Sequence, residues 1–224
     1  DVTARRTSRF FFFSKTMHTY SQPLPRIRTL HASPSSDVFV ADDGGTREVV
    51  VKRTKITGPN DMKRFDTELE LLLACQHECV VEVLGLLRVP PTYALILPVY
   101  PRGSLFTLTH NAPAPLSARA KLSFCADLAV AVAHLHAQGA LHRDVKSDNV
   151  LVRADGRGVL ADFNAATWES RVTADIVMQA RPTGGFFKQF VVGTLPYMAP
   201  ELVRSVRGAA YTRACDVYSI GITI

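Results

Sequence analysis

One octapeptide, His142-Arg143-Asp144-Val145-Lys146-Ser147-Asp148-Asn149, places three chemically distinct groups within six residues. Asp144 offers a carboxylate that can orient a hydroxyl and accept its proton. Lys146 offers a cation that can offset phosphate charge. Asn149 offers an amide oxygen that can ligate a hard metal ion. These are the groups needed to move a phosphoryl group between oxygens. Asp162 lies 18 residues beyond Asp144 and adds a second oxygen ligand. The pair Asp162-Phe163 has no meaning alone and gains it from that distance.

These groups need elements to hold them. Leu116–Gln138 reads as a long helix ahead of the octapeptide, with Leu122, Cys125, Ala126, Ala129, Val132, Ala133 and His136 on one side and Gly139 as its stop. Short strands are expected around 150–152 and 158–161. Upstream, 38–41 and 48–52 are β-type stretches around the turn cluster Asp42-Asp43-Gly44-Gly45, and read as a hairpin. Asn60 or Asp61 can cap a helix carrying Met62, Phe65, Leu69, Leu72 and Leu73 at helical spacing. Stretches 80–87 and 93–99 read as two more strands. Residues 164–192 show little pattern and read as a long loop, a kind that is usually functional in a compact domain. The chain closes on an apolar helix from Ala214. Strands with one helix, then mostly helix, make an α+β protein of two segregated halves, with a cleft between them as the natural place for a small ligand.

Composition sets the outer limits. The 224 residues are 47% apolar and 21% charged, as for an ordinary globular chain. The formal charge of +6 is misleading, because residues 1–31 carry Arg5, Arg6, Arg9, Lys15, Arg26 and Arg28 against Asp1 alone. The remaining 20 basic and 19 acidic residues nearly cancel, which argues against nucleic acid as a partner. Cys75, Cys79, Cys125 and Cys215 are thinly spread and read as free thiols in a reducing compartment. No apolar run is long enough to span a bilayer. Residues 2–36 contain no acid; a disordered extension is the expectation there and a targeting leader the alternative.

The octapeptide, between a helix and a short strand, resembles the catalytic loop of protein kinases. Asp162-Phe163-Asn164 stands where that family has Asp-Phe-Gly, whose Asp binds magnesium. Its third residue departs from the pattern, and Asn is expected there as a tolerable occupant of left-handed backbone. Val49-Val50-Val51-Lys52 resembles the strand that carries the phosphate-holding Lys, with Val50 in place of the usual Ala and therefore a narrower adenine slot. Glu68, nine residues before His77, is the expected partner of Lys52, with Glu70 as the alternative. Residues 193–201, Gly-Thr-Leu-Pro-Tyr-Met-Ala-Pro-Glu, resemble the end of a Ser/Thr-kinase activation segment. The Ser147 and Leu151 context looks like the tyrosine-kinase-like branch. Asp216 resembles the residue that braces the catalytic-loop backbone.

The resemblance, over about residues 27–224, implies a two-lobed protein-kinase-like fold with a small β-rich N-lobe holding one helix and a larger, mainly helical C-lobe, expected to be incomplete. The expected divisions are a loose basic leader over 1–26, N-lobe and hinge over 27–100, and C-lobe over 101–224. ATP and Mg²⁺ are the implied cofactors, and Ser or Thr hydroxyls of proteins the implied acceptors. The resemblance further implies Asp144 and Lys146 as the catalytic residues, and Asn149 and Asp162 as holders of the metal. Lys52, Glu68, Val38, Val50, Pro98, Tyr100 and Leu151 are expected to bind ATP, with Leu97 as gatekeeper. Arg143, Thr173, Thr183 and Thr194 are expected to be regulatory, with Arg143 pairing a phosphorylated Thr or Ser of residues 164–192. The expected compartment is the cytoplasm. One feature favours a different outcome, a pseudokinase or scaffold: the three positions of the family's Gly-rich loop fall at His31, Ser33 and Ser36.

Overall fold

The computed structural model describes residues 17–45, 47–111, 115–172, 192–204 and 210–223. Thr173 and Thr183 lie outside them. The first half is a six-stranded sheet built from β1 (His18–Tyr20), β2 (Arg26–Ala32), β3 (Ser36–Asp42), β4 (Glu48–Thr54), β5 (Gly85–Val89) and β6 (Thr92–Pro98). Their spatial order is β1-β5-β6-β4-β3-β2. Helix α1 (Pro59–Ala74) belongs to this half. The second half holds α2 (Leu105–Asn111), α3 (Ala118–Ala137), α4 (Pro200–Arg204) and α5 (Arg213–Thr223), with two small ribbons, β7 (Ala140–Leu141) against β10 (Thr167–Trp168), and β8 (Val150–Val152) against β9 (Gly158–Leu160). This is the two-lobed, kinase-like arrangement of a β-sheet lobe and a helical lobe.

The β3–β4 hairpin forms as its two β-type stretches and intervening turn cluster predict. Val49 and Val51 are buried with Phe39, Ala41, Leu87, Ala94 and Ile96 on the outer face of the sheet. Val50 and Lys52, out of phase by one, face the cleft. The main core spans both lobes: Phe65, Leu71 and Leu72 of α1 belong to the same buried cluster as Leu128, Val132 and Leu135 of α3 and Val145, Leu160 and Phe163.

Helix α1 starts at Pro59, a residue suited to a helix's first turn. Asp61, expected as a cap, acts from inside that turn: its carboxylate accepts from Gly58 N–H at 3.1 Å and Thr57 N–H at 2.8 Å. Ser117 caps α3, its hydroxyl accepting from Ala120 N–H at 3.2 Å. The buried face of α3 is rotated from the expected one. Phe124, Asp127, Leu128, Ala131, Val132 and Leu135 are buried, whereas Leu122 is 68% exposed. The alanines at 126, 129 and 133 drew the expected stripe round the helix, but small residues fit an exposed face as readily as a buried one.

Three other expectations change. Of the segment 80–87, only Gly85 onward is strand; Val80 makes an isolated bridge to Leu160. Strand β2 was not foreseen, because all seven of its residues are exposed and so carry no apolar alternation. Within the leader expected over 1–26, His18–Tyr20 is a strand running parallel to Gly85–Leu87. From there the chain crosses the outer face of the sheet to β2 at the opposite edge, with Tyr20 and Leu24 packed on the outer cluster.

That crossing needs Gly85. A Cβ at Gly85 would lie 2.6 Å from Tyr20 Cε2 and 2.7 Å from His18 O. Gly85→Ala is therefore expected to cost about 1–3 kcal/mol as overpacking, read as a lower Tm. In a Tyr20→Ala background the added loss should shrink, and simple additivity of the two would show that the ring does not press on this glycine.

Candidate active site

Lys52 reaches inward from β4 and meets two carboxylates. Its ammonium lies 2.5 Å from Glu68 Oε1 on α1 and 2.7 Å from Asp162 Oδ1, just after β9. The Lys52 and Glu68 side chains are 8% and 3% exposed. Burial alone would push the lysine pKa down, but the Glu68 and Asp162 charges outweigh it and hold the ammonium above the ordinary lysine value. Burial raises Glu68 despite Lys52. For Asp162 burial acts upward as well, and Lys52 overrides it to leave the carboxyl below its usual range. Glu70, the alternative partner, is on the surface at 3.4 Å from Arg171.

The octapeptide forms a second centre. Asp144 Oδ2 is 2.8 Å from Lys146 Nζ, and Asp144 Oδ1 accepts from the Thr194 hydroxyl at 2.7 Å. Lys146 Nζ also donates to Thr194 Oγ1 at 2.8 Å, which closes a triangle. The Asn149 amide nitrogen donates to Asp144 O at 2.8 Å and Oδ2 at 3.1 Å. That use of its nitrogen leaves the amide oxygen as a ligand. Thr194, expected among regulatory residues, thus sits on the carboxylate itself. Gly193 makes this approach possible: at φ 109°, a Cβ there would fall 2.7 Å from Arg143 O.

Both centres hang on a buried scaffold. Asp216, at the start of α5, is fully buried. Its Oδ2 accepts from His142 N–H at 3.0 Å and His136 Nε2 at 2.9 Å. Its Oδ1 accepts from Arg143 N–H at 2.8 Å and the Tyr211 hydroxyl at 3.0 Å. Burial would raise this carboxyl, but the His136 hydrogen bond and the two backbone N–H groups hold it below the ordinary value. Arg143 has left-handed backbone, φ 65°, and these bonds to its own and the preceding N–H fix it there. The Arg143 guanidinium donates through Nε to Ala165 O at 2.6 Å. His142 Nε2 donates to Ala161 O at 3.1 Å, and its ring meets Phe163 edge-on, centroids 5.0 Å apart.

Between the lobes lies a cleft of about 560 Å³, a size suited to a small molecule. Val38, Val50, Leu97, Pro98, Tyr100 and Leu151 line one part of it, and Lys52, Glu68, Asn149 and Asp162 another. The Tyr100 phenol packs toward the core, where burial and then Glu82 push it up to about 12. Among the described residues no group of three or more His, Cys, Asp or Glu is placed to hold a metal ion. Two oxygen donors, from Asn149 and Asp162, suit Mg²⁺, which keeps waters and takes its other ligands from phosphate.

A protein kinase domain model matches residues 35–224. The chain belongs to the protein kinase family. It is 34% identical over 213 residues to a protein kinase and PP2C-like domain-containing protein of Arabidopsis thaliana, a match covering 93% of this chain and 32% of that protein. It is 31% identical over 185 residues to the serine/threonine/tyrosine-protein kinase HT1 of the same plant, covering 80% and 43%. With the serine/threonine-protein kinase pakB of Dictyostelium discoideum it shares 29% over 189 residues, covering 84% and 20%. This kinase chain spans about a third of the length of the first of these relatives, and under half of the others.

Reading the motifs for this kinase missed some of the site. Leu30, Gly103 and Asp148 also line the cleft; Leu30 sits on a strand with no pattern to betray it. The backbone account of Asn164 is corrected. Among the described non-glycine residues only Arg143 and Asp162 have positive φ, so the left-handed residue is Asp162, and Asn164 sits in an ordinary 3-10 turn. A glycine is not needed there in this conformation.

Removing the cation should leave the buried Glu68 carboxylate unpaired beside that of Asp162, which is 39% exposed. Lys52→Met is expected to destabilise the domain by about 3–5 kcal/mol, measured by urea unfolding, and Glu68→Gln added to it should recover part of the loss. A single-mutant loss under about 1 kcal/mol, the range of solvent-exposed pairs, would contradict the buried geometry.

Proposed function

We propose that this kinase domain transfers the γ-phosphoryl group of ATP to Ser or Thr hydroxyls of proteins. The observation that carries this is Asp144 with an aliphatic hydroxyl already on it: Thr194 Oγ1 at 2.7 Å, with Lys146 bound to the same oxygen at 2.8 Å. A substrate hydroxyl taking that place would be oriented by Asp144 and lose its proton to it, while Lys146 offsets the charge on the transferring group. Lys52, held by Glu68, binds the α- and β-phosphates. The adenine lies among Val38, Val50 and Leu151, against the Pro98 carbonyl and the Tyr100 backbone. Asn149 and Asp162 hold Mg²⁺, which when bound neutralises and orients phosphate oxygens.

Phosphorylation of Thr173 or Thr183 is part of the same proposal, with Arg143 as its receiver; among the described residues the Arg143 guanidinium meets no carboxylate. Its free cysteines fit a reducing compartment, and we take this to be the cytoplasm. No described helix is long and apolar enough to cross a membrane. A second reading, a pseudokinase that serves as a scaffold, is favoured by His31, Ser33 and Ser36 where the family has glycine.

Asp144→Asn is expected to lower phosphotransfer to a Ser/Thr peptide by about 10²–10⁴-fold and to leave nucleotide binding intact. At 100 times its Kd, ATP with Mg²⁺ should add about 2.7 kcal/mol of stability, and Asp162→Asn should remove the Mg²⁺-dependent part. Binding without any transfer by the wild-type chain selects the scaffold. Replacing Thr173 and Thr183 by Ala should reduce activity; undiminished activity would remove them from the regulatory scheme.

A further inference from the structure

The turn that joins β2 to β3 is closed from within. Ser33 N–H donates to Ser36 O at 2.8 Å. Ser36 N–H donates to Ser33 Oγ at 3.0 Å, and the Ser33 hydroxyl donates back to Ser36 O at 3.1 Å. Pro34 has no N–H at all. The turn is also fastened to the end of β4. Lys55 N–H donates to Ser35 O at 2.9 Å, and its ammonium donates to Ser33 O at 2.7 Å while pairing with Asp37 Oδ1 at 2.9 Å. Arg53 pairs with the same Asp37.

This turn is a wall of the cleft. His31, Ser33, Ser35 and Ser36 line the same cavity as Lys52, Asn149 and Asp162. A phosphate bound at that polar end gains most from backbone N–H groups aimed at it, since hydrogen bonds to an ionised acceptor are the strong ones. In this chain the N–H groups of Ser33 and Ser36 are spent on the turn's own acceptors, and the one at position 34 does not exist.

We propose that Ser33 is a specificity-determining residue whose hydroxyl withholds the Ser36 backbone N–H from the nucleotide's phosphates, so that the cleft holds the nucleoside by shape and the phosphates through Lys52 and the metal. This rests on the nucleotide-binding role assigned to the cleft. It follows that the chain distinguishes ATP from adenosine less sharply than it could, and that loosening the turn improves the distinction.

The test is calorimetric titration of the whole chain with ATP plus Mg²⁺ and, separately, with adenosine. Ser33→Ala removes the acceptor that occupies Ser36 N–H, and Ser33→Gly does so with more backbone freedom. Both variants are expected to bind ATP about tenfold more tightly, the worth of one charge-assisted hydrogen bond, with adenosine affinity within about twofold of wild type, which also shows that they are folded. Equal or weaker ATP binding in Ser33→Ala overturns the inference. So does a gain confined to Ser33→Gly, which assigns the effect to glycine's freedom, or an equal gain for adenosine, which places it away from the phosphates. If adenosine binds and ATP affinity ignores the hydroxyl, the inference alone fails; if no variant binds either ligand, the nucleotide role fails with it.

Discussion

Most of the site depends on one buried cation. Lys52 brings β4, α1 and the segment after β9 to a single point, and so joins the two lobes through charge as the core joins them through packing. A desolvated ammonium is tolerable only with its carboxylates in place, and the carboxylates only with it. The three side chains therefore fix one another: α1 cannot rotate away without stranding Glu68, and Asp162 cannot turn out without leaving Lys52 short of charge. The period of β4 then decides the rest of the cleft. Whatever puts Lys52 on the inner face also puts Val50 there and sends Val49 and Val51 to the outer cluster.

Asp216 solves a different problem, that of holding strained backbone still. Left-handed geometry at a non-glycine residue is unfavourable unless neighbouring bonds over-determine it. Asp216 supplies those bonds from a fully buried position, and with them sets the direction in which Asp144 leaves the loop. The close pass of Gly193 over Arg143 O adds the last constraint, because it delivers Thr194 to Asp144. The Asp144 carboxylate is thus positioned by the loop that α5 braces and engaged by the segment ending in α4.

The sequence made the chemical centres legible because their residues are polar, sparse and fixed in spacing. The structure brings Lys52, Glu68 and Asp162 to one point and joins Asn149 to Asp144, and the β3–β4 hairpin announces itself through two β-type stretches around its Asp-Gly turn. What escaped notice lacked such a signal. Strand β2 is exposed on both faces, so nothing in Arg26–Ala32 alternates. Strand β1 lies in an acid-poor stretch without periodicity, and its docking is recorded only in the missing side chain of Gly85, one glycine among 13. Thr194 was recognised as part of a motif, but its contact with Asp144 depends on how a long connection returns, which no local pattern encodes. The alanine-rich α3 could be turned either way until α5 and the core selected a face.

The closed serine turn and the intact charge centre pull the functional conclusion in opposite directions, and their energetics show why both can coexist. The Lys52 and Asp144 centres make no hydrogen bond to the turn, so closing the turn does not disarm them. Donors on the turn would hold the phosphates in the ground state and the transition state alike. Losing uniform binding of that kind raises KM and leaves kcat near its value. Under the proposed function, a closed turn beside intact Lys52, Asp144 and Asp162 therefore corresponds to weakened nucleotide affinity rather than to a dismantled site.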